Sequence, residues 1–133
     1  MINKKIVITG GNSRFAKELS QSFFGKNIIY TSRKQLDILD VKSIENCLNK
    51  HKPKYLIHLA SLSRPMIIHE ENISSSIDAN IIGTANIVKK CSDKNIKLIY
   101  FSTNYVYPGL SGNYHEDDPI KPINNYAWSK LGG

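Results

Sequence analysis

The stretch Lys5-Ile6-Val7-Ile8-Thr9-Gly10-Gly11-Asn12-Ser13-Arg14-Phe15-Ala16 decides the fold. Lys5 to Thr9 reads as a buried strand, because Ile6 to Thr9 are a short β-branched run. Beyond the two glycines, Phe15, Leu19 and Phe23 recur every four residues, which predicts a helix with those three on one face, ending near Gly25. A strand that passes through a glycine turn into a helix opens a parallel α/β sheet, and the unpaired N–H groups at the helix N-terminus are placed to receive a phosphate. The glycine pattern is partial, because Ser13 and Ala16 stand where the second and third glycines of the dinucleotide fingerprint would be. Taken alone, this segment is equally consistent with a tight turn that holds no ligand.

Outward from this unit, short apolar runs continue to alternate with helical patterns, as in a parallel sheet covered by helices. Strands are expected at Asn27 to Thr31, Gln35 to Ile38, Tyr55 to Ala60 and Lys97 to Ser102, making about five with the first. Asp40 reads as the N-cap of a helix that buries Ile44 and Leu48. A long helix, roughly Ile73 to Cys91, would bury Ile73, Ile77, Ile81, Thr84 and Val88. The polar stretch Thr103 to Asn124, rich in Pro and Gly, reads as a loop, and a last helix begins near Tyr126. No internal repeat or low-complexity segment interrupts the pattern, so residues 1–133 form one domain with a Rossmann-type doubly wound sheet.

Composition narrows the function classes. The net charge of +7 comes from scattered lysines with no basic run, which argues against nucleic acid and leaves an anionic small ligand or plain codon usage. No apolar stretch approaches the roughly 20 residues needed to span a bilayer or make a secretory signal, so a cytoplasmic protein is expected. Cys47 and Cys91 fall on predicted helices without metal or redox spacing and are expected to be buried free thiols, with no metal site.

Two further features carry chemistry. The second strand ends Tyr30-Thr31-Ser32-Arg33, without the acid that NAD binders place there for the ribose 2′-hydroxyl. Arg33, with Ser32 and Arg14, would instead suit a 2′-phosphate, which favours NADP over NAD. Near the end, Tyr126 and Lys130 are four residues apart and share a helix face. An ammonium beside a phenol favours the phenolate, which equips the pair for proton transfer. Such a pair is expected about once by chance in a chain with this many Tyr and Lys, and a second, Tyr30 with Lys34, begins on a strand and reads as accidental. What distinguishes Tyr126 is context: the strand ending Phe101-Ser102-Thr103 opens on the crevice where such sheets bind ligands, and Thr103 offers a hydroxyl to the same carbonyl oxygen.

"TGGNSRFA", "IHLA", "NIIGT", "FSTNYVYPG" and "YAWSK" occur in this chain in the order seen in extended short-chain dehydrogenases/reductases, and the chain resembles that superfamily over its whole length. "QLDILD" and "FSTNYVYPG…YHEDDPIKPINNYAWSK" are most similar to dTDP-4-dehydrorhamnose reductases and related NAD-dependent epimerases and dehydratases. The resemblance implies Thr103 as the substrate-orienting hydroxyl, Tyr126 as the general acid/base and Lys130 as the group that holds the nicotinamide ribose. It places Gly10, Ser13, Arg14 and Phe15 at the pyrophosphate turn, and Asp37 and Ile38 beside the adenine. Leu59, Ala60 and Ser61 fall on the ribose and nicotinamide side, with Asn80 on the sheet-facing side of the long helix. Asn104 stands where the rhamnose reductases carry an acid after the threonine.

The implied activity is NADP-dependent 4-keto reduction of a nucleotide-sugar, with epimerisation or dehydration, or a non-catalytic nucleotide-binding regulatory module, as alternatives. The family continues beyond the point that corresponds to Gly133 into a C-terminal region that grips the nucleotide-sugar. The chain is therefore expected to act as an N-terminal fragment with negligible turnover alone. A short last helix ending Gly-Gly would fray and hold Lys130 loosely. The strand Lys97 to Ser102 would become an apolar edge open to self-association.

Overall fold

A computed structural model describes residues 4–133. The chain runs β1 (Ile6–Thr9), α1 (Arg14–Ser22), β2 (Ile28–Tyr30), α2 (Val41–His51), β3 (Tyr55–His58) and α3 (Ile68–Glu71). A continuous helical stretch follows as α4 (Ile73–Ser76), a π-helical segment Ile77–Ile82 and α5 (Gly83–Asp93). It ends with β4 (Lys97–Tyr100), a 3-10 turn at Asn104–Val106 and α6 (Asn125–Gly132). The strands form one parallel sheet in the order β2-β1-β3-β4. The order reverses between β1 and β3, and ligands of doubly wound sheets sit at that switch point, outside the C-terminal strand ends. The Rossmann-type expectation holds.

Burial follows position in the sheet. All four residues of β1 are buried, because both of its faces are covered. Val7 and Leu56 join Ile44, Cys47 and Leu48 of α2 and Ile87 and Cys91 of α5 in the main core, while Ala16 of α1 is also fully buried. Asp40 caps α2 by accepting from the Lys42 N–H, and Ile44 and Leu48 are buried as its pattern requires. Cys47 and Cys91 are buried free thiols. Among the described residues, no helix is long and apolar enough to cross a membrane.

Three expectations need correction. Among the described residues the sheet has four strands, since Gln35 to Ile38 is not a strand. There the Gln35 and Leu36 N–H groups turn back to the Ser32 carbonyl, while the Gln35 side chain accepts from the Ser32 N–H and hydroxyl. These local bonds leave the segment beside β2 rather than paired with it. In the long helix, Ile73, Ile77 and Val88 are exposed, and the buried face is Ser76, Asn80, Gly83, Thr84, Ile87 and Cys91. The π segment adds a residue per turn and shifts the register, and the face it turns inward is small and polar where α6 packs. In α1 only Ala16 is buried, and Phe15 is 51% exposed as part of a crevice wall.

Candidate cofactor and proton-transfer site

The switch point is formed by backbone that leaves no room for side chains. Gly10 has φ +68, and a Cβ there would lie 2.8 Å from the Ala60 nitrogen. A Cβ on Gly11 would meet the Tyr30 carbonyl carbon at 2.9 Å. Glycine at both positions lets the β1–α1 turn fit between the ends of β2 and β3. Ser13 is the N-cap of α1, and its Oγ accepts from the Ala16 N–H at 3.2 Å. Its presence in place of glycine therefore has a local structural reason, and its hydroxyl proton stays available.

A cavity of about 320 Å³ opens on this turn, lined among others by Gly10, Ser13, Arg33, Asp37, Ile38, Leu59, Ala60 and Ser61. Eight of the residues singled out from the sequence thus surround one space. Asn12, Leu36, Leu39, Leu62 and Ala79 line it too, and none of them was singled out as a site residue from the sequence. A recess beside the cavity brings together Asn12, Ser32, Arg33, Lys34 and Asp37. In it Arg33 Nε lies 3.1 Å from Asp37 Oδ2, with the Arg33 side chain 78% exposed. The Leu39 N–H and then the Arg33 guanidinium hold the Asp37 carboxyl below its ordinary range. This i,i+4 pair was not foreseen. It leaves the recess with one carboxylate facing Arg33 and Lys34. Arg14, grouped with Arg33 on sequence grounds, lines the opposite end instead.

That opposite end is a crevice of about 550 Å³, whose walls include Arg14, Phe15, Arg64, Ser102, Tyr126 and Lys130. It shares Ser13, Leu59 and Ser61 with the first cavity, so the two spaces adjoin across the glycine turn. Phe15 stacks at a tilt on Phe101, with ring centroids 5.3 Å apart. Ser102 lines this crevice while Thr103 is absent from its lining. The Thr103 Oγ1 accepts from the Tyr105 N–H at 3.3 Å, capping the 3-10 turn.

Lys130 is only 5% exposed, and its Nζ sits 4.3 Å from the centre of the Tyr100 ring. Burial pushes its pKa down to about 8. The expectation that it would be loosely held is therefore corrected, because the helix around it is fastened by long-range bonds. The Asn124 side chain caps α6 at the Ala127 N–H, and the Tyr100 hydroxyl donates to the Lys130 carbonyl at 3.0 Å. The Asn80 amide donates to Ser129 Oγ and to the Leu62 carbonyl, each at 2.8 Å, and accepts from the Leu62 N–H at 2.7 Å. Asn80 is buried with its side chain fully engaged and lines neither space. It ties α6 to the loop that carries the β3 end.

Behind Lys130 runs a buried relay. Thr9 Oγ1 accepts from the Leu59 and Ala60 N–H groups, so its own proton points to His58 Nδ1 at 2.7 Å. His58 Nε2–H then donates to Thr84 Oγ1 at 3.2 Å, and Thr84 donates to the Asn80 carbonyl. Burial, and secondarily the Lys130 ammonium, push the His58 pKa down to about 4. Neutral His58 leaves Lys130 as the charged group in this part of the interior.

Residues 4–133 match the family described as RmlD substrate binding domain. The chain belongs to that family. Among curated relatives of this RmlD-family chain, dTDP-4-keto-6-deoxy-D-glucose reductase of Streptomyces niveus is 28% identical over 130 residues, 96% of this chain and 45% of that protein. Methionine adenosyltransferase 2 subunit beta of Xenopus tropicalis is 33% identical over 98 residues, 74% of this chain and 29% of that one. A solved dTDP-4-dehydrorhamnose reductase from Bacillus anthracis in complex with NADP superimposes with a TM-score of 0.89 at 27% identity, covering 98% of this chain and 47% of that one. This RmlD-family chain thus spans less than half the length of these relatives.

Proposed function

We propose that this chain is the cofactor-binding portion of a cytoplasmic, NADP-dependent short-chain dehydrogenase/reductase that reduces a 4-keto nucleotide-sugar. The observation that supports it most is the adjoining pair of spaces across the Gly10–Gly11 turn, one beside Arg33 and the other lined by Tyr126 and Lys130. The glycine turn leads directly into the N-terminus of α1, whose unpaired N–H groups suit a pyrophosphate. NADP would supply the hydride, and the protein's part is to hold, orient and exchange a proton.

Within that reading each side chain has a task. Gly10, Ser13, Arg14 and Phe15 border the pyrophosphate, and Arg33 and Ser32 meet the 2′-phosphate. Asp37 and Ile38 flank the adenine, while Leu59, Ala60 and Ser61 pass along the ribose. Tyr126 gives its phenolic proton to the oxygen that becomes an alcohol. Lys130 keeps a positive charge beside the ribose and the phenol, and at a pKa of about 8 it remains mostly charged at neutral pH. Thr103 orients the same oxygen if its hydroxyl turns from the Tyr105 N–H.

A second reading, a non-catalytic module that binds the nucleotide and regulates a partner, is favoured by the likeness to the methionine adenosyltransferase beta subunit. Transfer of deuterium from NADPD to a 4-keto-6-deoxy nucleotide-sugar by the whole protein of which this chain is the proposed portion, read by mass spectrometry, separates the two, since the portion alone is expected to show negligible turnover. Incorporation that disappears in Tyr126→Phe is expected for the reductase. NADPH binding with no incorporation would assign the regulatory role.

A further inference from the structure

His69 lies outside the residue set assigned above, yet it is packed against the proposed acid/base. It is fully buried on α3, and its ring centre is 5.0 Å from that of Tyr126 at an interplanar angle of 53°. Its Nδ1 is 2.6 Å from the Ser76 hydroxyl oxygen. Its Nε2 is the buried side-chain polar atom without a hydrogen-bond partner among the described residues. Next to it, Glu70 receives the Asn125 side-chain amide at 2.6 Å, so α3 and the start of α6 are fastened together at this point. Buried orphan polar atoms are rare and call for a reason.

Hydrogen counting chooses between the two neutral tautomers. If Nδ1–H donated to Ser76, both the Ser76 hydroxyl proton and the bare Nε2 lone pair would be buried without partners, because that hydroxyl has no other partner among the described residues. If Ser76 donates to Nδ1, the one group left over is Nε2–H. A buried N–H with no oxygen or nitrogen acceptor is best placed against an electron-rich ring face, a weak contact but a real one. The Tyr126 ring, 5.0 Å away centre to centre, is the aromatic neighbour of the His69 imidazole.

We infer that His69 is a positioning residue for Tyr126, holding Nε2–H toward the phenol ring while Ser76 fixes the tautomer through Nδ1. On one side Tyr105 meets the same ring edge-on with centroids 6.0 Å apart, so Tyr126 is held between two aromatic neighbours. The side chain thereby keeps one direction into the crevice it shares with Lys130. The consequence for catalysis rests on the oxidoreductase reading, whereas the tautomer and the contact do not.

Long-range ¹⁵N–¹H correlation spectra of the 133-residue chain report the His69 tautomer directly. The expected result is protonation at Nε2, with that proton shifted upfield by the Tyr126 ring; protonation at Nδ1 overturns the inference. Tyrosine labelled at Cζ supplies the second readout. His69→Leu should move the Tyr126 Cζ resonance, and His69→Gln, which keeps an N–H near the Nε2 position, should restore it toward the wild-type value. A Tyr126 resonance unmoved by His69→Leu, with His58 signals unchanged to show an intact fold, also overturns it. Should His69→Leu fail to fold, the wild-type tautomer decides alone. NADPH takes no part in these spectra, so loss of the oxidoreductase reading would show separately, as a chain that does not bind NADPH.

Discussion

The two ends of the crevice are built in opposite ways. The end near Arg33 is ordered by short-range bonds, the Ser13 cap and the Arg33–Asp37 pair, around a Gly10–Gly11 turn packed against the backbone of Tyr30 and Ala60. It is open, and its charges are exposed. The end near Lys130 is made by residues far apart in the chain. Asn80 reaches Ser129, Tyr100 reaches the Lys130 carbonyl, His69 meets Tyr126, and the lysine itself is buried. The first end is shaped by what the backbone permits, and the second by what the interior will tolerate. The one should therefore respond to steric change, the other to pH and to removal of charge.

The largest effect should come from the steric end. Gly10→Val puts a branched side chain at φ +68, with its Cβ 2.8 Å from backbone. We expect a loss of about 3 kcal/mol or more in urea unfolding, together with loss of NADPH binding. A stable, binding-competent variant would show that the turn is not held as described.

At the other end, acid should act through His58. The unfolded histidine takes up a proton near its ordinary value of about 6.5, whereas the folded one resists protonation down to about 4. Between those values the unfolded state binds more protons, so stability falls as pH is lowered through that window. The loss is expected to reach about 3 kcal/mol by pH 4. His58→Gln should flatten that part of the unfolding-versus-pH curve.

Lys130→Met should stabilise the fold at neutral pH, because a cation kept from water by burial is replaced by an apolar side chain of similar length. Folded Lys130 releases its proton near pH 8, before the unfolded one, so the wild type should gain stability as pH rises above 8 while the variant does not. We expect a gain of about 1–3 kcal/mol, reduced by loss of the contact with Tyr100. In the whole protein of which this chain is the proposed portion, the same change should abolish deuterium transfer from NADPD. A variant both less stable and still active would invert the contrast between the two ends.

The smallest effect belongs to the exposed pair. Arg33→Ala should weaken NADPH by about tenfold and leave NADH nearly unchanged in fluorescence titration. Asp37→Asn should tighten NADPH slightly, since it removes a carboxylate from the recess.

The same contrast explains what the sequence revealed. The β1 strand, the glycine turn and the Asp40 cap are each announced by their residue types within a few positions of the chain. The Gln35 to Ile38 segment misled because its apolar residues are buried from a turn rather than from a strand, with Ser32 and Gln35 satisfying each other locally. The long helix misled for a different reason. A π segment breaks the period on which face assignment rests, so Ser76, Gly83 and Ile87 lie inside beside Thr84, while Ile73, Ile77 and Val88, expected there, are exposed. Lys130 was legible as a residue but not as a buried one, since Asn80, through Ser129, and Tyr100 hold its helix from across the fold. His69 carried no sequence signal at all. One histidine between Ile68 and Glu70 acquires its meaning only when α3 meets α6.

Calorimetric titration of the chain with NADPH and with NADH tests the central claim most directly. The account predicts saturable binding of NADPH, weaker binding of NADH, and loss of the difference in Arg33→Ala. Failure to bind either dinucleotide, in a chain that unfolds cooperatively, would contradict it.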